Sequence, residues 1–210
     1  MKLTAIKAQI KNPDRVSIYV DGEYSFSLTP NQLLEQKLHS GLEIDEARLI
    51  ALKQLSAYGK LYDRILRYVM LRPHSSREVQ DYCRRKQLDP EACAQIIAKL
   101  TEKQYLNDES FAKAWVESRR LTKTISRRVL KLELKQKGVS DEIIAQTLAA
   151  SPYDEQAALR VLIAKKQRQS RYQDPKKLMQ YLVGRGFGYG EVRRELGAAS
   201  SPQNPDNYPD

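Results

Sequence analysis

Polar and apolar residues alternate along the first thirty positions of the chain. From Leu3 to Ile10 the alternation has period two, Val16 to Val20 is rich in β-branched and tyrosine residues, and Tyr24-Ser25-Phe26-Ser27-Leu28 alternates cleanly. Asn12-Pro13-Asp14 carries turn chemistry, and Asp21-Gly22 is a hairpin signal. Three short strands in an antiparallel meander follow from this pattern. Such a meander is marginal alone and needs a helix beneath it.

After Pro30 the pattern changes to helical spacing and keeps it. Gln32 to Leu38 forms a short helix ending near Gly41, and Asp45 to Tyr58 forms another that stops at Gly59. Later helices are punctuated by side chains that satisfy orphan amides. Ser75-Ser76-Arg77-Glu78 has the form of a capping box. Asp89-Pro90 and Asp174-Pro175 each place an N-cap before a first-turn proline. Ser140-Asp141-Glu142 sets a hydroxyl and two carboxylates at the positive end of a helix dipole.

One helical block occurs three times. Val79 to Leu88, Leu130 to Val139 and Leu178 to Phe187 each begin with an aliphatic residue, carry Cys83, Leu134 or Leu182 four positions on, and end on an apolar residue preceded by Gln87, Gly138 or Gly186. An apolar-periodic helix precedes each block and another follows it, which gives three tandem three-helix units, each too small to bury its stripe without neighbours. The fold class expected is mainly α: tandem three-helix repeats in an elongated stack, preceded by a small antiparallel β meander. The expected divisions are a meander at 1–30, linking helices at 31–59, repeats at 60–107, 108–152 and 153–197, and a disordered tail at 198–210. Gly138 and Gly186 each stand where a left-handed residue closes a helix ending in basic side chains.

Charge adds direction to this picture. Of 210 residues, 36 are Lys or Arg and 26 are Asp or Glu, a formal charge of +10. Residues 1–56 balance 7 basic against 7 acidic side chains, so the whole excess lies beyond them. A basic surface of that extent favours polyanions, nucleic acid foremost, unless it serves only solubility. No start signal, transmembrane run or disulfide framework is legible, and the cysteines Cys83 and Cys93 fit a reduced, cytoplasmic setting.

Catalytic constellations are not visible. His39 and His74 read as exposed loop histidines, and no cofactor or metal pattern occurs. Gly184 to Gly190 resembles a phosphate-cradling loop, yet no strand precedes it to aim the glycines, so it reads as a turn between helices. Glu133 and Glu195 read as intrahelical ion-pair partners. Cys83 reads as a small core residue. Trp115, one turn after Phe111, reads as core, with stacking on a base or a partner as the alternative.

The basic side chains of the middle unit are the candidate site. Arg119, Arg120, Lys123, Arg127, Arg128, Lys131, Lys135 and Lys137 lie within nineteen residues, opposed only by Glu133. Arg127, Lys131 and Lys135 recur at i, i+4 and i+8, a stripe opposite Leu130 and Leu134. Such a stripe can follow a phosphate backbone, dock on an acidic protein, or simply face water. Lys165, Lys166, Arg168 and Arg171 continue the theme in the third unit, and Arg185 is a further candidate.

These residues also carry a family resemblance. Leu106-Asn107-Asp108-x-x-Phe111-Ala112-x-x-Trp115-x-x-x-Arg119, with Arg127 and Leu130-x-x-Glu133-Leu134-x-x-Lys137-Gly138-Val139, resembles the signature of the RecX family, regulators of the RecA recombinase. Leu178-x-x-Tyr181-Leu182-x-x-Arg185-Gly186-Phe187 is similar to that family's C-terminal repeat, and Asp21-Gly22-Glu23-Tyr24 to its N-terminal hairpin. The match covers roughly residues 1–197; Asn107 departs from it, where members often carry a second Asp. The resemblance implies a non-enzymatic monomer that binds a RecA filament on DNA and modulates, usually inhibits, its recombinase and coprotease activities. The other reading is a direct nucleic-acid binder built from tandem helix-turn-helix-like units.

Overall fold

The computed structural model describes residues 1–10, 12–122 and 124–199. The tail expected to be disordered falls outside them from residue 200 onward, although the last helix runs to Ala199. Among the described residues, three strands open the chain, β1 (Leu3–Ala8), β2 (Val16–Val20) and β3 (Glu23–Leu28). Ten α-helices follow: α1 (Pro30–Glu35), α2 (Glu46–Met70), α3 (Ser76–Arg85), α4 (Pro90–Glu102), α5 (Asp108–Thr122), α6 (Arg127–Gln136), α7 (Asp141–Ala150), α8 (Glu155–Gln167), α9 (Pro175–Gly184) and α10 (Tyr189–Ala199). The protein is mainly α with an N-terminal antiparallel meander, as the patterning predicts. Two compact units divide it, one of residues 1–72 and 82–105, the other of residues 73–81 and 106 onward.

In the first unit the meander runs β1-β2-β3. Asp21 (φ 48°) and Gly22 (φ 90°) make the left-handed turn that matches strand twist in a two-residue hairpin. Leu3, Ile18, Phe26 and Leu28 bury against Leu38, Ile44 and Leu52. Beneath the sheet a polar knot ties β3 to α2. Ser56 Oγ donates to the Ser27 carbonyl (2.6 Å), and buried Arg15 donates to the same carbonyl (2.6 Å) and to Asp63 on α2 (2.8 Å).

That knot explains why α2 does not stop at Gly59. The helix runs unbroken for 25 residues, so the boundary drawn at 59/60 lies inside it. A Cβ on Gly59 would sit 3.3 Å from the Gln32 amide and 3.5 Å from the Arg15 guanidinium. A side chain here would press first on the Gln32 amide, and glycine's helix-breaking tendency of about 1 kcal/mol is overridden by packing.

Farther along this unit, α2 packs against α4, with Ile65, Val69, Cys83, Cys93, Ile96 and Leu100 all buried. Burial, reinforced by a hydrogen bond to Cys93, pushes the Cys83 thiol up to about 12, so it stays protonated and behaves as a small apolar residue. His74 departs from its expected exposure. It is buried, beside the equally buried Ser75 that caps α3.

The second unit contains two helix trios, each with its own core. In α5–α7, Phe111, Ala112, Val116, Leu130, Leu134 and Ile144 cluster together with Tyr153. In α8–α10, Leu159, Leu162, Ile163, Leu178, Leu182, Phe187 and Val192 do the same. The sequence repeat is visible as repeated backbone geometry. Gln87, Gly138 and Gly186 all take positive φ (50°, 78° and 88°). The next residue's N–H then returns to the carbonyl five positions back: Leu88 to Cys83, Val139 to Leu134 and Phe187 to Leu182. The Gly184–Gly190 stretch is accordingly a helix-to-helix turn.

Candidate docking surface

The basic residues of the middle trio divide into those spent inside the fold and those left outside. Arg127 belongs to the first group and leaves the stripe expected for it. Its guanidinium donates to the carbonyls of Leu148 (2.9 Å) and Tyr153 (2.9 Å), at and just beyond the last turn of α7, where a cation also meets the negative end of the helix dipole. Its backbone N–H donates to Glu155 Oε1 (3.1 Å). Burial pushes the Glu155 carboxyl up from its ordinary value, with that N–H pulling the other way.

Arg119 is also committed. Its Nε and the Trp115 Nε1 both donate to Glu133 Oε2, at 2.7 and 2.8 Å. Trp115 is half-buried rather than core: it packs against the α5–α7 cluster while the Arg119 guanidinium and Lys137 Nζ stand 4.5 and 4.9 Å from its ring centroid. Lys137 Nζ donates in turn to Glu78 (2.7 Å). Glu133 therefore links two helices instead of pairing along its own. Glu195 does likewise, accepting from Arg160 and Gln156 on α8, and the Arg160 hydrogen bond holds its carboxyl below the usual range. Arg120 pairs with Glu117 (2.7 Å), and Lys135 with Asp141 (2.8 Å). Lys123 lies outside the described residues.

Arg128, Lys131 and Lys165 are exposed, and among the described residues none of them has an ion-pair partner. Arg128, Lys131 and Lys135 come together with Leu132 and Gly186 around a shallow groove of about 290 Å³, where α6 meets the turn between α9 and α10. In the third trio, Lys166 and Arg185 sit over tyrosines. Lys166 Nζ is 5.1 Å from the Tyr172 ring centroid and 4.8 Å from that of Tyr181, and Arg185 is 5.4 Å from Tyr181. Of these tyrosines, the sequence reading names Tyr181 only as part of the third repeat's motif and does not name Tyr172. The available signal was positional, since Tyr181 and Glu133 both stand five residues before a turn glycine. No trio of His, Cys, Asp and Glu side chains fit to hold a metal ion occurs among the described residues, and none of their helices is long and apolar enough to cross a membrane.

A helical-repeat protein with a basic outer face and a short β meander is the class these features define. The description "RecX, second three-helix domain" matches residues 107–148, and "Regulatory protein RecX N-terminal domain" matches residues 1–45. The Regulatory protein RecX of Bacillus pumilus is 34% identical over 97% of this chain and 80% of its own length. That of Bacillus licheniformis is 31% identical over 92% and 76%. A crystal structure of a regulatory protein RecX superposes with a TM-score of 0.77, covering 93% of this chain and 98% of that one at 24% identity, an agreement in fold. The chain belongs to the RecX family of regulatory proteins.

Proposed function

We propose that this protein docks on a RecA-type recombinase filament assembled on DNA and lowers its strand-exchange and coprotease activities by binding alone, without catalysis. Family membership supports a regulator. The observation that carries the docking reading is the groove on α6, where Arg128 and Lys131, with no ion pair among the described residues, stand beside an exposed Leu132. Unneutralised cations around an apolar side chain suit a surface that offers both acidic protein and phosphate. The repeats assigned to residues 108–152 and 153–197 supply this face.

Strand exchange and ATP hydrolysis by the recombinase, measured with and without the protein, test the reading. Inhibition that deepens as the protein's concentration rises is the expected result. Unchanged rates, together with equal affinity for bare DNA and for the filament, would overturn it in favour of a plain nucleic-acid binder.

A further inference from the structure

The second and third trios treat the same positions in opposite ways. Arg119 and Lys166 each lie three residues after a buried aliphatic, Val116 or Ile163, and Lys137 and Arg185 each stand just before the turn glycine. In the second trio Glu133 and Glu78 neutralise the cations. In the third, the position of Glu133 is occupied by Tyr181. Among the described residues no carboxylate pairs with Lys166, Arg171, Lys177 or Arg185.

What replaces the carboxylate is aromatic surface. Tyr172 and Tyr181 lie with ring centroids 4.9 Å apart at 50°, half-buried against the α8–α10 core, and Lys166 bridges the two. Together with Arg171, Lys177 and Gln180 they line an open pocket of about 520 Å³, a size typical of small-ligand sites. Tyrosine rings with unneutralised cations over them offer an unpaired nucleotide both aromatic surface for its base and positive charge for its phosphate. A duplex hides its base faces, and a phosphorylated side chain needs the cations but not two rings.

We propose that this pocket holds one nucleotide of a single-stranded nucleic acid, with its base on the Tyr172 and Tyr181 rings and its phosphate between Arg171 and Lys177. The site deepens the nucleic-acid side of the filament reading and can be measured without any recombinase.

Fluorescence anisotropy of the full chain with labelled oligothymidylate, and with an abasic deoxyribose-phosphate strand of equal length, tests it. The wild type should prefer the thymidylate strand. Tyr172→Ala should weaken thymidylate binding roughly 5- to 150-fold, the range for losing an aromatic stack, while Tyr172→Phe retains it. Tyr181→Glu, which installs the second trio's arrangement, should abolish the preference. If circular dichroism shows that variant unfolded, the exposed pair Arg171→Ala and Lys177→Ala replaces it and should weaken both strands. Equal wild-type affinity for the two strands, no effect of Tyr172→Ala, or equally tight capture of a phosphotyrosine peptide would overturn the proposal. Wild-type inhibition of strand exchange is scored alongside. Inhibition without base preference removes the pocket alone, and base preference without inhibition removes the recombinase reading alone.

Discussion

The Ser75 hydroxyl donates to the Lys137 carbonyl at 2.7 Å, sixty-two residues away. The same hydroxyl accepts from the Glu78 N–H (3.1 Å), so one side chain both caps α3 and seats the end of α6. Ser126 repeats the arrangement: it caps α6, accepting from Val129 N–H (3.2 Å), and reaches the Arg185 carbonyl at 3.4 Å. Each seat is closed by the glycine that follows. A Cβ on Gly138 would lie 2.5 Å from Arg77 Cβ, and one on Gly186 would lie 2.5 Å from both Ser126 Oγ and Val129 Cγ2.

Gly138→Ala should therefore destabilise the protein twice over, by about 1–2 kcal/mol for a left-handed non-glycine residue and further through the clash with Arg77. Gly184→Ala, in open space at the end of α9, should be neutral or mildly stabilising. Urea unfolding midpoints for the two variants check this; equal midpoints would contradict the seat.

Arg127 and its neighbours should separate stability from docking. Arg127→Ala strips two backbone carbonyls of their donor and should cost about 1–3 kcal/mol. Arg128→Glu with Lys131→Glu changes exposed side chains and should leave stability within about 0.5 kcal/mol of wild type while weakening filament inhibition. Thermal melts and strand-exchange assays on the same preparations decide the matter.

The single tryptophan makes the Glu133 cluster easy to observe. Glu133→Ala leaves Trp115 Nε1 and Arg119 without their shared acceptor, at a quarter-exposed site, and should cost about 1–2 kcal/mol. Intrinsic fluorescence should shift with it. Glu133→Gln, which retains one acceptor oxygen, should fall between the variant and wild type. Emission maxima and unfolding midpoints that did not move together would break the link.

Glu155 should give a pH dependence of unusual sign. Its folded-state carboxyl titrates above the unfolded value, so the native state binds the extra proton between the two and stability falls as pH rises through that window. Glu155→Gln keeps an acceptor for Arg127 N–H without the charge and should flatten that slope. Denaturant unfolding from pH 4 to 7 would show it; parallel profiles for the two proteins would contradict the assignment.

Much of this fold was legible because its signals are local. Ser140, Asp89 and Asp174 cap the helices their sequences announced, and Gly138 and Gly186 mark the turns that set the repeat. Gly59 misled because what crowds it, Gln32, lies twenty-seven residues earlier, and the Arg15 knot that ties the helix down forms only when β3 meets α2. The candidate site was legible only as a list of cations. Whether an arginine faces water depends on what another helix brings to it: Glu133 for Arg119, the end of α7 for Arg127, nothing among the described residues for Arg128. Helical spacing places side chains on a face but is silent about the opposite partner, and for that reason Tyr172 and its pairing with Tyr181 passed unnoticed.

The hydroxyls at 75 and 126 can each give one proton while receiving another, but the corresponding cap of α9 is Asp174, whose carboxylate accepts from Lys176 N–H (2.8 Å) and has no proton to offer. Ser75 and Ser126 are therefore two-way groups, and Asp174 is a one-way group at the matching cap. The chemistry of one oxygen-bearing side chain thus decides whether a helix cap can also hold a carbonyl from another helix.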